Sequence, residues 1–333
     1  MEGLGKIAWA VARKQIRGER KLPATLPKLS MTKSGMQFDK NHINEYCRVC
    51  GFANNTSIPV TYAAMICRDL QIHLMVHESF PFPVMGLVHL ANRIEQYAAF
   101  DLSSKLSLSV SLGKDLIPHD KGYCCDLVCE FHCEETSRLM WRNTFTLFHH
   151  QKRDKTNDDP RDMYESQIKQ SDLDGAREIS RWNIPSHKGR EYAAVSGDYN
   201  PIHLHAASAY LFGFRGGAIM HGMWTKAHAL AHVLPPVEKM AIPPVSADGT
   251  APPLTEVYVE FKTPLFLPST AVLSCRSVRA DMDDTYRREE RIFEVKGAGG
   301  EELPHMRGRC SWLAVVSDEE ERGSHGDVSI VDC

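Results

Sequence analysis

The sequence predicts an α+β protein made of two copies of one unit, each an antiparallel sheet wrapped around a central helix. Three observations carry that reading. Glu45-Tyr-Cys-Arg-Val-Cys-Gly51 and Glu191-Tyr-Ala-Ala-Val-Ser-Gly197 share Glu, Tyr, Val and Gly at identical spacing, and such self-similarity is the first sign of a duplicated architecture. Each copy is followed by a helical stretch and then a series of strand-like runs, and a sheet with one apolar face needs a helix to cover it. Between the copies, residues 152–175 are almost wholly polar and read as a linker.

Residues 1–37 come first as a basic segment, with Lys6, Arg13, Lys14, Arg17, Arg20, Lys21, Lys28 and Lys33 against Glu2 and Glu19. It reads either as an organelle presequence or as a solvated lead-in. Residues 38–151 form the first copy. Ala63, Ile66, Leu70 and Leu74 recur near helical spacing and predict a helix over 62–75. Alternating runs predict strands over 86–96, 105–112, 123–134 and 138–149. Residues 176–317 form the second copy, opening on a strand over 176–184. Its helix is expected over 222–233, where Met223, Trp224, Ala227 and Ala231 trace an apolar face, and its further strands over 254–261, 270–280, 286–296 and 304–315. A Pro-rich loop fills 235–253, and 318–333 reads as a flexible acidic tail.

Composition narrows the function classes. The chain has 333 residues, 43% hydrophobic and 24% charged, with a formal net charge of −3, so it lacks the basic excess of a nucleic-acid binder. No apolar run reaches the roughly 20 residues of a membrane span, and no secretory signal opens the chain. The expected location is intracellular, cytoplasm or mitochondrion. Ten scattered cysteines fit a reducing compartment better than a disulfide framework. Cys47-Arg-Val-Cys50 has no partner pair at zinc-ribbon spacing. His228 and His232 lack a third ligand at zincin spacing, so no metal is expected there and packing is the simpler role.

One segment reads as a site. Ser196-Gly-Asp-Tyr-Asn-Pro-Ile-His203 gathers a carboxylate, an amide and an imidazole around one Asn-Pro turn. Pro201 suits the first position of a helix and Asn200 suits its cap, which brings Asp198 and His203 toward one small volume.

These residues, with Gly213-Phe214 and Ile219-Met-His-Gly-Met223, resemble the MaoC-like family of (R)-specific enoyl-thioester hydratases and 3-hydroxyacyl-thioester dehydratases. Its fold is the hotdog. Gly86-Leu-Val-His-Leu90 after Phe80-Pro-Phe-Pro83, together with His203-Leu-His205, looks closer to the double-hotdog dehydratases of that family, and the resemblance covers roughly 40–316. It implies reversible hydration of trans-2-enoyl thioesters, with Asp198 and His203 as the acid/base pair and Asn200 in support. Gly222 matches the backbone donor of the oxyanion hole, and His221 and Met223 are expected beside the substrate. No cofactor is implied. The partner is a substrate carried as a thioester of coenzyme A or of an acyl carrier protein, and a homodimer remains open.

After Gly51 the first copy offers Phe52-Ala-Asn-Asn-Thr56, with neither carboxylate nor imidazole at the matching places. One active site per chain is therefore expected, the degenerate copy lending surface to the acyl tail. Two other readings stand beside the hydratase: a hotdog thioesterase, and a non-catalytic acyl-thioester-binding subunit. Asp198-x-Asn-x-x-His203 argues against the thioesterase.

Overall fold

The computed structural model describes residues 25–53, 57–152, 163–235, 240–241, 252–280, 286–299 and 303–315. Most of the basic segment, residues 153–162 of the linker and most of the Pro-rich loop lie outside them. So do the tail and residues 54–56 after the first repeat.

In chain order the elements are β1 (Ser30–Met36), α1 (Lys40–Cys50), α2 (Tyr62–Ile66), α3 (Arg68–Val76), β2 (Val88–Gln96), β3 (Leu106–Leu112), β4 (Ile117–His119), β5 (Gly122–Cys133) and β6 (Leu139–His150). There follow β7 (Arg177–Ile184), α4 (Lys188–Ser196), α5 (Ala206–Leu211), β8 (Ala218–Ile219), α6 (Gly222–Val233), β9 (Thr255–Phe261), β10 (Phe266–Leu267), β11 (Ser269–Ala280), β12 (Tyr286–Gly297) and β13 (Met306–Val315). The architecture is the hotdog, class α+β.

The first compact unit comprises 1–37, 62–94 and 101–167. Its strands run in the order β1-β3-β5-β6-β2, with β4 on β5. Burial alternates residue by residue along β3 and β6, the period of two that puts one side of a strand in the core. Phe131 and Trp141 meet in that core at 5.8 Å. The helix expected over 62–75 is present but interrupted at Cys67, whose φ and ψ of −66° and −20° keep the chain nearly helical.

The second unit comprises 38–61, 95–100 and 168–333, with strand order β9-β13-β12-β11-β7. Long registers join β11 to β12 and β12 to β13, and α6 lies against β12 and β13. Helix α6 is buried on more than one stripe: Trp224, Thr225, Lys226, Ala227, Ala229, Leu230 and Val233 are all enclosed. Burial drives the Lys226 amine well below its usual range.

Unit boundaries fall at 37/38, where the sequence places one, and at 167/168, inside the expected linker 152–175, but segment 38–61 is not assigned to the first unit. Segment 38–61, which carries the first repeat, packs with the second unit because Trp224 Nε1 donates to the Val49 carbonyl (2.9 Å) and His228 Nδ1 to the Cys50 carbonyl (2.9 Å). Cys47 and Cys50 are buried there, and burial pushes both thiols up. A reactive cysteine pair needs the opposite environment, exposed and electropositive.

Candidate active site

The site begins where α4 stops. Gly197 caps that helix with φ 69°, its N–H donating to the Ala193 carbonyl at 2.9 Å, a left-handed ending that glycine adopts without strain. Asp198 follows at once. Its N–H donates to Ser196 Oγ (3.2 Å), and its Oδ1 accepts from the Asn200 N–H (3.3 Å), so the carboxylate is tied to the turn on which it sits. Asn200 caps the next element through its side-chain oxygen, which accepts from the Ile202 N–H at 3.4 Å. That element is a single 3-10 turn, Pro201–His203, rather than the start of an α-helix.

His203 ends the turn, half-buried. Nδ1 meets the Ile219 carbonyl at 2.8 Å. A carbonyl only accepts, so Nδ1 carries the hydrogen and Nε2 of the neutral ring presents a lone pair. Ile219 is held in turn by the short ribbon of β8 and β10, where it pairs with Phe266. Burial lowers the His203 pKa below its ordinary value, against the upward pull of the Asp198 charge and the Ile219 carbonyl. The ring therefore stays neutral at neutral pH, the form that accepts a proton.

His221 completes a trio. The ligand atoms of Asp198, His203 and His221 all lie within 4.8 Å of one another. The rings of His203 and His221 stack with centroids 3.8 Å apart and planes 30° apart. His221 Nε2 donates to the Asp198 backbone carbonyl at 3.0 Å and sits 3.9 Å from Asp198 Oδ2. The spacing of this trio would suit a metal ion, yet one nitrogen of each imidazole already bonds a backbone carbonyl, His203 Nδ1 that of Ile219 and His221 Nε2 that of Asp198. Gly222, next along, is the first residue of α6, where backbone N–H groups have no partner within the helix and the dipole favours negative charge. A Cβ at Gly222 would sit 2.8 Å from the Phe261 ring, so packing favours glycine there. Met223 follows, half-buried, in the same turn.

The structure thus gathers Asp198, His203 and His221 directly, with Asn200 as the brace of the turn and Gly222 beside His221. Sequence reasoning missed three contributors. Gly189 brings α4 against the 3-10 turn, since a Cβ there would lie 2.2 Å from the His203 carbonyl oxygen. Tyr192 sets its ring edge-on to His221 at 4.9 Å, and Ile219 acts only through its backbone. A glycine in the first turn of a helix and a carbonyl acceptor leave no pattern that a sequence alone displays. A hollow of about 420 Å3 lined by Leu265, Phe266, Pro268, Thr270 and His305 adjoins β10 and includes none of the trio.

Residues 166–289 match the family model described as "MaoC like domain". The matched stretch, most of which lies in the second unit, is similar to that family's domain. The chain is 29% identical over 248 residues to 3-hydroxyacyl-thioester dehydratase X of Mycobacterium tuberculosis, covering 74% of this chain and 80% of that protein. The crystal structure of HtdX from Mycobacterium tuberculosis superposes with a TM-score of 0.61 at 24% identity, covering 84% of this chain and 98% of that one. A MaoC-like dehydratase from Phytophthora capsici superposes at 0.57 with 15% identity, covering 88% of this chain and 97% of that one, a likeness of fold alone. Among the described residues, no helix is long and apolar enough to cross a membrane.

Proposed function

We propose that the protein is a hydro-lyase that adds water reversibly to trans-2-enoyl thioesters, giving (R)-3-hydroxyacyl thioesters. The observation that carries this reading is the His203 tautomer: Nδ1 is engaged by Ile219, leaving Nε2 as the basic nitrogen of a ring that has a nitrogen within 4.8 Å of an Asp198 carboxylate oxygen. That gap is no wider than one water hydrogen-bonded to both at about 2.8 Å each would bridge.

In the hydration direction, His203 Nε2 takes a proton from the water while its oxygen bonds to C3 of the enoyl group. The C2–C3 π electrons move toward the thioester carbonyl, whose oxygen gains charge at the Gly222 N–H and the N-terminus of α6. His203 then returns the proton to C2. One water thus supplies both additions from one side, which accounts for syn stereochemistry. Asp198 accepts a hydrogen bond from the water's second O–H, which stays on the product hydroxyl, and stabilises the transient imidazolium. Dehydration is the same sequence reversed. No cofactor takes part.

Two further points support the reading: the named activity of the Mycobacterium relative, and the fit of imidazole to proton transfer near neutral pH. The test follows enoyl absorbance and free thiol together, using enoyl thioesters of increasing length on coenzyme A and on a carrier protein. Loss of absorbance without thiol is the expected result. Thiol release would indicate hydrolysis instead, and no change in either would leave a binding role.

A further inference from the structure

We propose that His221 is a positioning residue, holding Asp198 and His203 in register, rather than a surface that touches substrate. The ring is only 2% exposed, so it has almost no face to offer an acyl group. What it does touch is the machinery. One face lies on His203 at 3.8 Å, and the Tyr192 ring packs against it at 60° to its plane. The far nitrogen ties down the Asp198 carbonyl at 3.0 Å. Its own backbone caps α6, one residue before Gly222, and its carbonyl accepts the Thr225 N–H at 3.1 Å.

Three pieces of the site come from three separate segments: the loop after α4, the 3-10 turn, and the start of α6. His221 is joined to each. The stack keeps the His203 ring from tilting while Ile219 prevents its flipping, and the Nε2–H bond fixes how far the Asp198 loop stands from that ring. The side chain must therefore be flat enough to stack and also carry a donor at its far end. Histidine meets both needs. Phenylalanine keeps only the first, and glutamine only the second. Around His203 the groups that bear on its protonation are the Asp198 carboxylate, the Ile219 carbonyl and His221 itself.

This inference rests on the hydratase reading for its kinetics alone, because the protonation of His203 can be followed without any substrate. The experiment uses the full chain with His221→Phe and His221→Gln, checked for folding by circular dichroism. It measures kcat and KM on an enoyl-CoA and the pH midpoint of the His203 Cε1–H proton resonance, assigned by its loss in His203→Ala. In His221→Phe the Asp198 loop is released, so the carboxylate withdraws and the His203 midpoint falls by about half a unit or more. In His221→Gln the ring loses its cover, so water enters and the midpoint rises by a similar amount. In both, kcat drops about tenfold or more with KM within about threefold, as displacement of reacting groups by a fraction of an ångström predicts.

If both variants fold with an unmoved midpoint and kcat within twofold of the native chain, the proposal is overturned. A rise in KM at constant kcat also overturns it, since that marks a substrate contact. If the native chain hydrates no enoyl thioester while the two midpoints move apart as stated, the functional reading fails and the positioning role stands. Should one variant not fold, the direction of the midpoint in the other decides.

Discussion

Helices α1 and α4 carry the two copies of the repeat, and both belong to the second compact unit. Tyr46 and Tyr192 are both buried, as are Val49 and Val195. Gly51 and Gly197 both end their helices in the left-handed conformation, with φ 82° and 69°, and each N–H returns to the carbonyl four residues back. The two are joined where His42 Nε2 donates to the Val195 carbonyl at 2.9 Å. Past the glycine they part. Gly197 releases the chain into Asp198 and the Asn-Pro turn, whereas Gly51 is closed over by His228, whose Nδ1 would lie 2.7 Å from a Cβ there. The same helix ending leads into the proposed site in one copy and into packing in the other, so the shared residues preserve a scaffold, and the residues after the glycine set what it leads to.

The largest effect expected from testing this contrast is in the second copy's turn. Asp198→Asn and His203→Ala should each lower turnover by about 10² or more with the fold retained, whereas Ala53→Asp, just past the first copy's glycine, should leave turnover within about twofold. Next comes Gly189→Ala. Its methyl would meet a backbone oxygen that cannot yield cheaply, so the 3-10 turn must shift; turnover should fall about tenfold, measured beside a melting curve that shows the domain still folded.

Gly51→Ala probes the packing copy. It adds left-handed strain to the clash with His228, and urea titration should find a loss of about 2 kcal/mol, with activity per folded molecule unchanged. The smallest effect is a pH dependence of stability. Burial lowers the His228 pKa from the ordinary histidine value of 6.5 to about 4. A site that binds protons less readily when folded contributes stability that is full above the unfolded pKa and is lost as pH falls toward the folded one. Unfolding free energy should therefore drop between pH 6.5 and about 4, by on the order of 2 kcal/mol after allowance for partial exposure. His228→Phe should flatten that limb. Trp224, stacked on His228 at 4.7 Å, gives a fluorescence signal for the same titration.

Much of this arrangement was legible in the amino acids because it rests on local periodicity. The helix over Gly222–Val233 and the strands after it follow from apolar spacing, and their observed ends fall within two residues of the expected ones. Asn200 and Pro201 announced a turn by their own backbone preferences. What was hidden depends on distant partners. β8 and β10 are two residues each and exist only through pairing with one another, while β1 is mostly exposed and polar, held by its register with β3. The attachment of α1 to α6 depends on Trp224 and His228 reaching carbonyls more than 170 positions earlier. The role of His221 was the least visible: in a string of letters a histidine before a glycine looks the same whether it faces ligand or lies sealed against another ring.

The ribbon of β8 and β10 carries a practical consequence for anyone who would transplant this chemistry. The imidazole takes its orientation from the Ile219 carbonyl, and Ile219 is steadied by Phe266, while the Met220 N–H reaches the Leu265 carbonyl at 2.7 Å. A graft of 191–223 onto another scaffold would bring the side chains of the proposed site and leave behind Leu265 and Phe266, which steady the segment that aims one of them. The smallest portable version of the site must extend through Leu267.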